Sequence, residues 1–452
     1  MLPNLTLNVG LRWEYNPATT DKYNHLATFD PTAATSTPLP YLRVSTPQNP
    51  SIYTAPTRDY SPRFGFAYTP FGPKTVIRGG YGLFWDIKLL NVILNSALTA
   101  PFLTGFTFNQ STNGLPNINI ANPYGGTSGG PAIPSASWVE NPFRDGYVQQ
   151  WNLNVQRQLF ASSVFTVGYV GSKGTHLDRA YDINEPGPTA SFTQSLRKYP
   201  MYSSINVRSA SASSTYHSLQ ASMEKRFSYG LSFLVSYTYS KSIDDASLWN
   251  GSAVAVTNFH LERGLSTFDS RNRFVTSYTY DLPYGRGRQF GSASSTWINA
   301  ILGGWQTNGI VSVQSGNPLD PTTGLQLSGT QTGTRPDVTC DPNAVTHDPS
   351  RWFNTSCFSN NFVGRYGTAG RNIIIGSPTR NFDFALLKNF ALGKESRSLQ
   401  FRSEFFNVFN HPNLDNPNVT TTSPTFGKIT SAGVQDARAS SRQIQFALRL
   451  AF

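Results

Sequence analysis

The chain has 452 residues, of which 13% are charged and 13% aromatic, with 31 Phe, 21 Tyr and 8 Trp; globular proteins usually carry roughly 25% charge. Polarity comes instead from Asn, Ser, Thr and Gln, so the mean hydropathy is still −0.32. No apolar run approaches the roughly 18 residues of a spanning helix, and the net charge of +11 is scattered, with no basic run beyond pairs such as Arg286 and Arg288, which argues against a nucleic-acid footprint.

The N-terminus, Met1-Leu-Pro-Asn-Leu-Thr-Leu-Asn-Val-Gly10, has no charged leader, apolar core or cleavage site and begins as a strand. Leu5, Leu7, Val9, Leu11 and Trp13 alternate with polar or small residues, as a two-faced strand requires. The same period recurs at Phe64–Tyr68, Ile77–Trp85, Trp151–Leu159, Phe165–Tyr169, Leu219–Phe227, Leu231–Tyr239, Phe274–Leu282, Trp305–Val313, Phe382–Phe390 and Leu399–Phe409. The last stretch, Arg442–Phe452, puts Ile444, Phe446, Leu448, Leu450 and Phe452 on one face and Gln443, Gln445, Ala447, Arg449 and Ala451 on the other. That makes about 12 strands, apolar on one side and polar on the other.

The connections alternate in length from end to end. Long ones at about 16–60, 87–146, 171–214, 240–271, 315–378 and 410–440 interleave with short ones at 70–74, 161–163, 228–230 and 391–397 and an intermediate one at 283–303. In a meander this parity puts every long loop at one end of the sheet. A soluble sandwich has no reason to keep it, whereas an outer-membrane barrel has short periplasmic turns and long extracellular loops. The fold expected is all-β: an antiparallel up-and-down transmembrane β-barrel, its long loops outside the cell and its C-terminus in the periplasm. Arg157, Lys225 and Lys388 each interrupt an apolar face just ahead of a short turn. Long basic side chains placed there can reach headgroups at the periplasmic interface; the alternative is strand ends in water.

Several motifs carry the resemblance to a known family. They are Tyr60-Ser-Pro-Arg-Phe-Gly-Phe-Ala-Tyr68, Arg78-Gly-Gly-Tyr-Gly-Leu-Phe-Trp-Asp86, Gln150-Trp-Asn-Leu-Asn-Val-Gln-Arg157, Tyr169-Val-Gly-Ser-Lys-Gly-Thr-His176, Tyr237-Thr-Tyr-Ser-Lys-Ser-Ile-Asp244 and Glu404-Phe-Phe-Asn-Val-Phe-Asn-His-Pro412. Together they resemble the C-terminal barrel of Oar-like TonB-dependent transporters, notably those expanded in Acidobacteria. The resemblance implies a barrel of about 22 strands closed by an N-terminal plug, a TonB-contacting segment, and a terminal Phe read by the barrel-assembly machinery. Residues 1–452 read as the C-terminal portion of such a barrel, without plug or signal peptide, so TonB would be reached only through a region preceding this chain. Expected partners are outer-membrane lipid, lipopolysaccharide, the assembly machinery and a small-molecule, carbohydrate or peptide substrate. A self-closing porin-like channel and a surface adhesion barrel are the alternatives.

Enzyme chemistry and cofactors are not expected. Gly126-Thr-Ser-Gly-Gly130 matches G-x-S-x-G but lies in a loop, without the strand and helix of a nucleophile elbow. Gly285-Arg-Gly-Arg-Gln-Phe-Gly291 reads as a turn, and the six histidines show no metal spacing. Asp244 and Asp245 could bind a cation at a loop base or anchor that loop by hydrogen bonds. Cys340 and Cys357 share one long loop and read as a disulfide in an oxidising exterior, or else as two buried thiols.

Overall fold

The computed structural model describes residues 3–36, 39–86, 90–103, 133–160, 162–189, 191–247, 256, 258–324, 334–360, 364–391, 398–433 and 441–451. Twelve strands form an antiparallel meander in chain order: β1 (Leu5–Glu14), β2 (Asp59–Tyr68), β3 (Thr75–Asp86), β4 (Gly146–Phe160), β5 (Ser163–Asp182), β6 (Ile205–Ser228), β7 (Leu231–Asp244), β8 (Asn272–Asp281), β9 (Trp305–Gln314), β10 (Thr379–Ala391), β11 (Ser398–Phe406) and β12 (Gln443–Ala451). Two short strands join the same sheet, Ala136–Val139 parallel to β6 and Gly264–Leu265 against β7. No helix among the described residues is long and apolar enough to cross a membrane.

Directly paired residues of an antiparallel sheet share a face, so the register turns the alternation of each strand into a continuous surface. One row runs Leu7–Phe66–Gly79–Leu153–Tyr169–Leu219–Tyr239 across seven strands. These side chains do not cover a core: Leu7 is 56% exposed and Leu153 50%. The opposite face carries Arg63, Arg78, Asn152, Asn154, Gln156, Gln220 and Ser222. An apolar surface of this extent is not sustained in water, and it suits a wall solvated by lipid outside and water inside. Aromatic rings fold over cross-strand glycines on the outer face. Phe66 lies on Gly79, Trp151 on Gly171 and Tyr278 on Gly309, each so close that an added Cβ would collide with the ring.

The buried apolar side chains lie instead among the connections. One cluster holds Leu26, Ile52, Tyr53, Ile93, Val139 and Phe143; a second holds Phe29, Leu42, Ala136, Tyr202 and Ile205. A third, Trp352, Phe353 and Ile374, collects Leu319, Phe358, Leu414 and Phe426 around it. All three join long connections, which lie together because alternate links of a meander emerge at the same end. The other end has short turns; between β6 and β7 it is Tyr229-Gly230, both at positive φ, the conformation that matches strand twist in a two-residue hairpin.

The structure departs from the sequence pattern in three places. The expected loop at 171–214 is strand at both ends: β5 continues to Asp182 and β6 begins at Ile205, with bulges between Gly174 and Arg179. Glycines and serines hid this, because pairing there is maintained by the backbone and by Ile205 and Val207, fully buried beneath the loops. β11 stops at Phe406 rather than near Phe409, since Asn407 and Asn410 take left-handed φ values of 49° and 53° that Asn tolerates in turns. The intermediate connection at 283–303 contains a short helix, α2 (Thr296–Leu302), capped by Ser295 Oγ accepting from the Ile298 N–H; α1 is Leu90–Leu94.

Candidate functional site

The chemistry concentrates at the long-loop end. Arg179, 1% exposed on the extended part of β5, places Nη2 2.7 Å from Asp245 Oδ1, its guanidinium plane 4.2 Å from the Phe259 ring centre. Arg371 donates to the Asp244 carboxylate, to the Asp244 carbonyl at 2.7 Å, to the Glu262 carbonyl at 2.6 Å and to Ser247 Oγ at 3.0 Å. Arg335 donates to Glu262 Oε2 at 2.6 Å, Asp320 Oδ1 at 3.0 Å and the Leu261 carbonyl at 3.1 Å. Arg335's burial disfavours its charge but is outweighed by Asp320 and Glu262, so the guanidinium is held above its ordinary range. Burial pushes the Asp320 carboxyl up despite that neighbour.

These pairs tie the end of β7, the β7–β8 connection, the β9–β10 connection and the top of β5 into one body. Planar guanidiniums suit the task because each makes several directed bonds to carboxylate and carbonyl oxygens. The two readings of Asp244 and Asp245 are resolved here: the cations they hold are guanidiniums of the same chain. Among the described residues no group of three or more His, Cys, Asp or Glu is placed to hold a metal. Nothing local in the chain signals the network, whose partners are separated by as many as 127 positions.

Beside it a cleft of about 500 Å³ is lined by Trp138, Glu140, Arg144, His176, Ala210 and Ser211. His176 sits in a bulge of β5 at φ 56° and its Nδ1 lies 3.1 Å from the Ala210 carbonyl; bulges re-aim side chains in this way. Burial raises the Glu140 carboxyl above its usual range, and its Oε2 accepts from the Ala210 N–H at 3.3 Å. Two residues on from His176, burial pushes Asp178 up to about 6, against the pull of Arg208. The cleft thus offers an aromatic edge, an acid, a guanidinium and an imidazole, a set able to fix the orientation of a polar ligand.

The residues singled out in the sequence lie elsewhere. Cys340 and Cys357 are joined in a disulfide, Cα atoms 5.1 Å apart, beside the third apolar cluster. Arg157, Lys225 and Lys388 all lie at the short-turn end. Arg157 is exposed on the outer face with Val155 and Leu159. Lys225 folds back onto its own hairpin, donating to the Ser228 and Leu231 carbonyls at 2.7 and 2.8 Å. Lys388 is buried and donates to the Ile301 and Gly303 carbonyls at 2.9 and 2.6 Å. Ile444, Phe446, Leu448 and Leu450 stand exposed on one face of β12; Phe452 lies outside the described residues, as does the Gly126–Gly130 motif.

No curated protein matches the chain. Solved structures of similar architecture include the outer membrane transporter YddB of Escherichia coli, at 12% identity and TM-score 0.49, the alignment covering 87% of this chain and 41% of that one. P. aeruginosa FpvA bound to heterologous pyoverdines matches at 10% identity and TM-score 0.46, with 100% and 37% coverage. The FrpB iron transporter of Neisseria meningitidis matches at 9% and 0.45, with 99% and 43%. The chain therefore spans less than half the length of each. A family model described as "Outer membrane beta barrel domain" matches residues 1–445. The lipid-facing register and this match over nearly the whole chain agree: the protein belongs to the outer membrane β-barrel domain family.

Proposed function

We propose that this chain is the recognition-bearing part of an Oar-like, TonB-dependent receptor wall, with its long loops outside the cell and its short turns and C-terminus in the periplasm. The observation that carries this reading is the inversion of its apolar residues. They are exposed along the wall and buried in the loop layer, so a packed, ion-paired platform stands on one end of a lipid-solvated sheet. A passive pore needs no such platform; a receptor that selects its cargo does. The substrate is a polar small molecule, carbohydrate or peptide able to use the Trp138–Glu140–Arg144–His176 cleft. Lipopolysaccharide meets the outer rim, and the barrel-assembly machinery reads the end of β12.

Among the described residues β1 pairs only with β2 along its length and β12 only with β11. An unpaired edge in hydrocarbon costs several kcal/mol per backbone group, so in the membrane both edges are covered. Further strands, completing a larger barrel with its own plug, fit the resemblance best.

The test is depletion of a mixture of small molecules, oligosaccharides and peptides by cells with and without the protein, each with and without a protonophore. Protonophore-sensitive depletion of one class supports energised uptake. Insensitive passage with steady conductance in planar bilayers would instead establish a porin-like channel, and no difference between the strains would favour an adhesion role.

A further inference from the structure

The helix α2 lies at the short-turn end of the wall, in the connection between β8 and β9. Its side chains Trp297, Ile298, Ile301 and Leu302 are exposed, Trp297 at 82%, and their i, i+4 spacing puts them on one stripe of the helix. The opposite side is fastened down: Asn299 Oδ1 accepts from the Arg286 N–H at 2.8 Å, and Arg286 Nη2 donates to Thr296 Oγ1 at 2.8 Å. A seven-residue helix with its large apolar groups turned outward gains nothing from burial within this chain.

Its position identifies what covers that stripe. Trp305, Lys388, Phe401 and Leu448 are successive partners across β9, β10, β11 and β12, and therefore share the outer face. Trp305 Nε1 donates to the Ile301 carbonyl at 2.9 Å, and the Lys388 ammonium, over the Trp305 and Phe390 rings at 4.8 and 5.1 Å, donates to the Ile301 and Gly303 carbonyls. The last turn of α2 is thus held from the lipid-facing side, with a cation at the negative end of the helix. Its exposed stripe continues the apolar surface of the wall, and Arg286 and Arg288 stand beside it, Arg288 on Asp281 at 3.0 Å.

We propose that α2 is an interfacial anchor whose stripe lies in the headgroup–acyl boundary of the phospholipid leaflet next to the short turns. Trp and apolar residues on a helix lying in the interface plane, with basic residues at its polar side, are what that boundary favours. Lys388 then serves as the peg that fixes the anchor to the wall. The proposal rests on the lipid-facing reading of the outer face.

The experiment uses Ile301→Cys and, separately, Leu448→Cys. Both positions are exposed, and the native cysteines are already joined, so each variant has one reactive thiol. The protein is labelled with an environment-sensitive fluorophore and reconstituted into phosphatidylethanolamine–phosphatidylglycerol vesicles. Quenching by headgroup-borne nitroxide, mid-chain nitroxide and aqueous iodide is then compared. The anchor predicts blue-shifted emission at 301 and several-fold stronger quenching by the headgroup nitroxide than by iodide. Iodide quenching at 301 with lipid quenching at 448 would overturn the anchor and leave the wall standing. Iodide quenching at both would overturn the wall reading as well. Protection of 301 from every quencher would mean that protein covers the helix, and would also refute the proposal.

Discussion

Replacing Val155 by Arg separates a lipid-facing wall from a water-facing one. Val155 is exposed on the outer face of β4, paired with Ile77 on β3 and Val167 on β5, in the middle of the stretch from Trp151 to Leu159. A guanidinium there enters hydrocarbon, which costs about 2–4 kcal/mol near the midplane of a barrel and about 0–1 kcal/mol near an interface. At about 1.4 kcal/mol per tenfold, the folding equilibrium falls by about 30- to 700-fold. Arg157, on the same face but nearer the short turn, shows that the wall accepts a guanidinium where headgroups are within reach. Asn152→Arg, on the inner face of the same strand, puts the same charge into water and is expected to cost below about 0.5 kcal/mol. The assay is urea-dependent folding into phospholipid vesicles, followed by the heat-modifiable migration of the folded barrel. Equal destabilisation by the two variants would refute the assignment of faces.

Four further outcomes are expected. Arg335→Met leaves Glu262, 3% exposed, without its guanidinium; losing one member of a buried pair costs about 3–5 kcal/mol. The loss is local to the long connections that Arg335 joins, so protease on intact cells should cut within 258–271 or 315–324 while the wall stays folded, and an unchanged digestion pattern would count against it. Asp178, pushed up to about 6 by burial, penalises the folded loops when ionised. That penalty is present above about pH 6 and is relieved as pH falls toward the ordinary value of 3.8. Amide exchange around residues 176–182, corrected for intrinsic rates, should therefore slow from pH 7 to pH 5 and lose this dependence in Asp178→Asn; faster exchange on acidification would contradict the sign. With the Cys340–Cys357 loop outside the cell, an impermeant maleimide should label intact cells only after reduction, and labelling without reductant, or none after it, would reject that placement. Deleting Phe452 should block membrane insertion without affecting synthesis; normal heat-modifiable migration of the truncated protein would dismiss the assembly-signal reading.

The wall was legible in the sequence because its information is local. Alternation from Leu5 to Trp13 or from Ile444 to Leu450 is imposed by two solvents, one on each side of a single strand, and the length of each connection is likewise read without knowing any contact. The loop layer was not legible, for the converse reason. Arg371 reaches Asp244 and Glu262 across long sequence separations, and nothing local distinguishes it from Arg380 or Arg351. The extension of β5 and β6 was hidden by Gly171, Gly174 and the serines of 209–214, where pairing depends on a cover supplied by other loops. α2 escaped because seven residues are too few for helical period to stand out beside the glycines that precede it. Lys388 stands out in the sequence as a charge on an apolar face, but its partner, the end of that helix, does not.

The central claim is that one face of every wall strand meets lipid and the other water, and β12 tests it residue by residue. Each position from Gln443 to Ala451 is changed in turn to cysteine, the native pair being already joined, and exposed to an impermeant maleimide in native outer membranes. The account predicts period-two labelling, with positions 443, 445, 447, 449 and 451 reacting and 444, 446, 448 and 450 protected. Labelling of both sets at similar rates would show a sheet with water on both faces and would contradict the account.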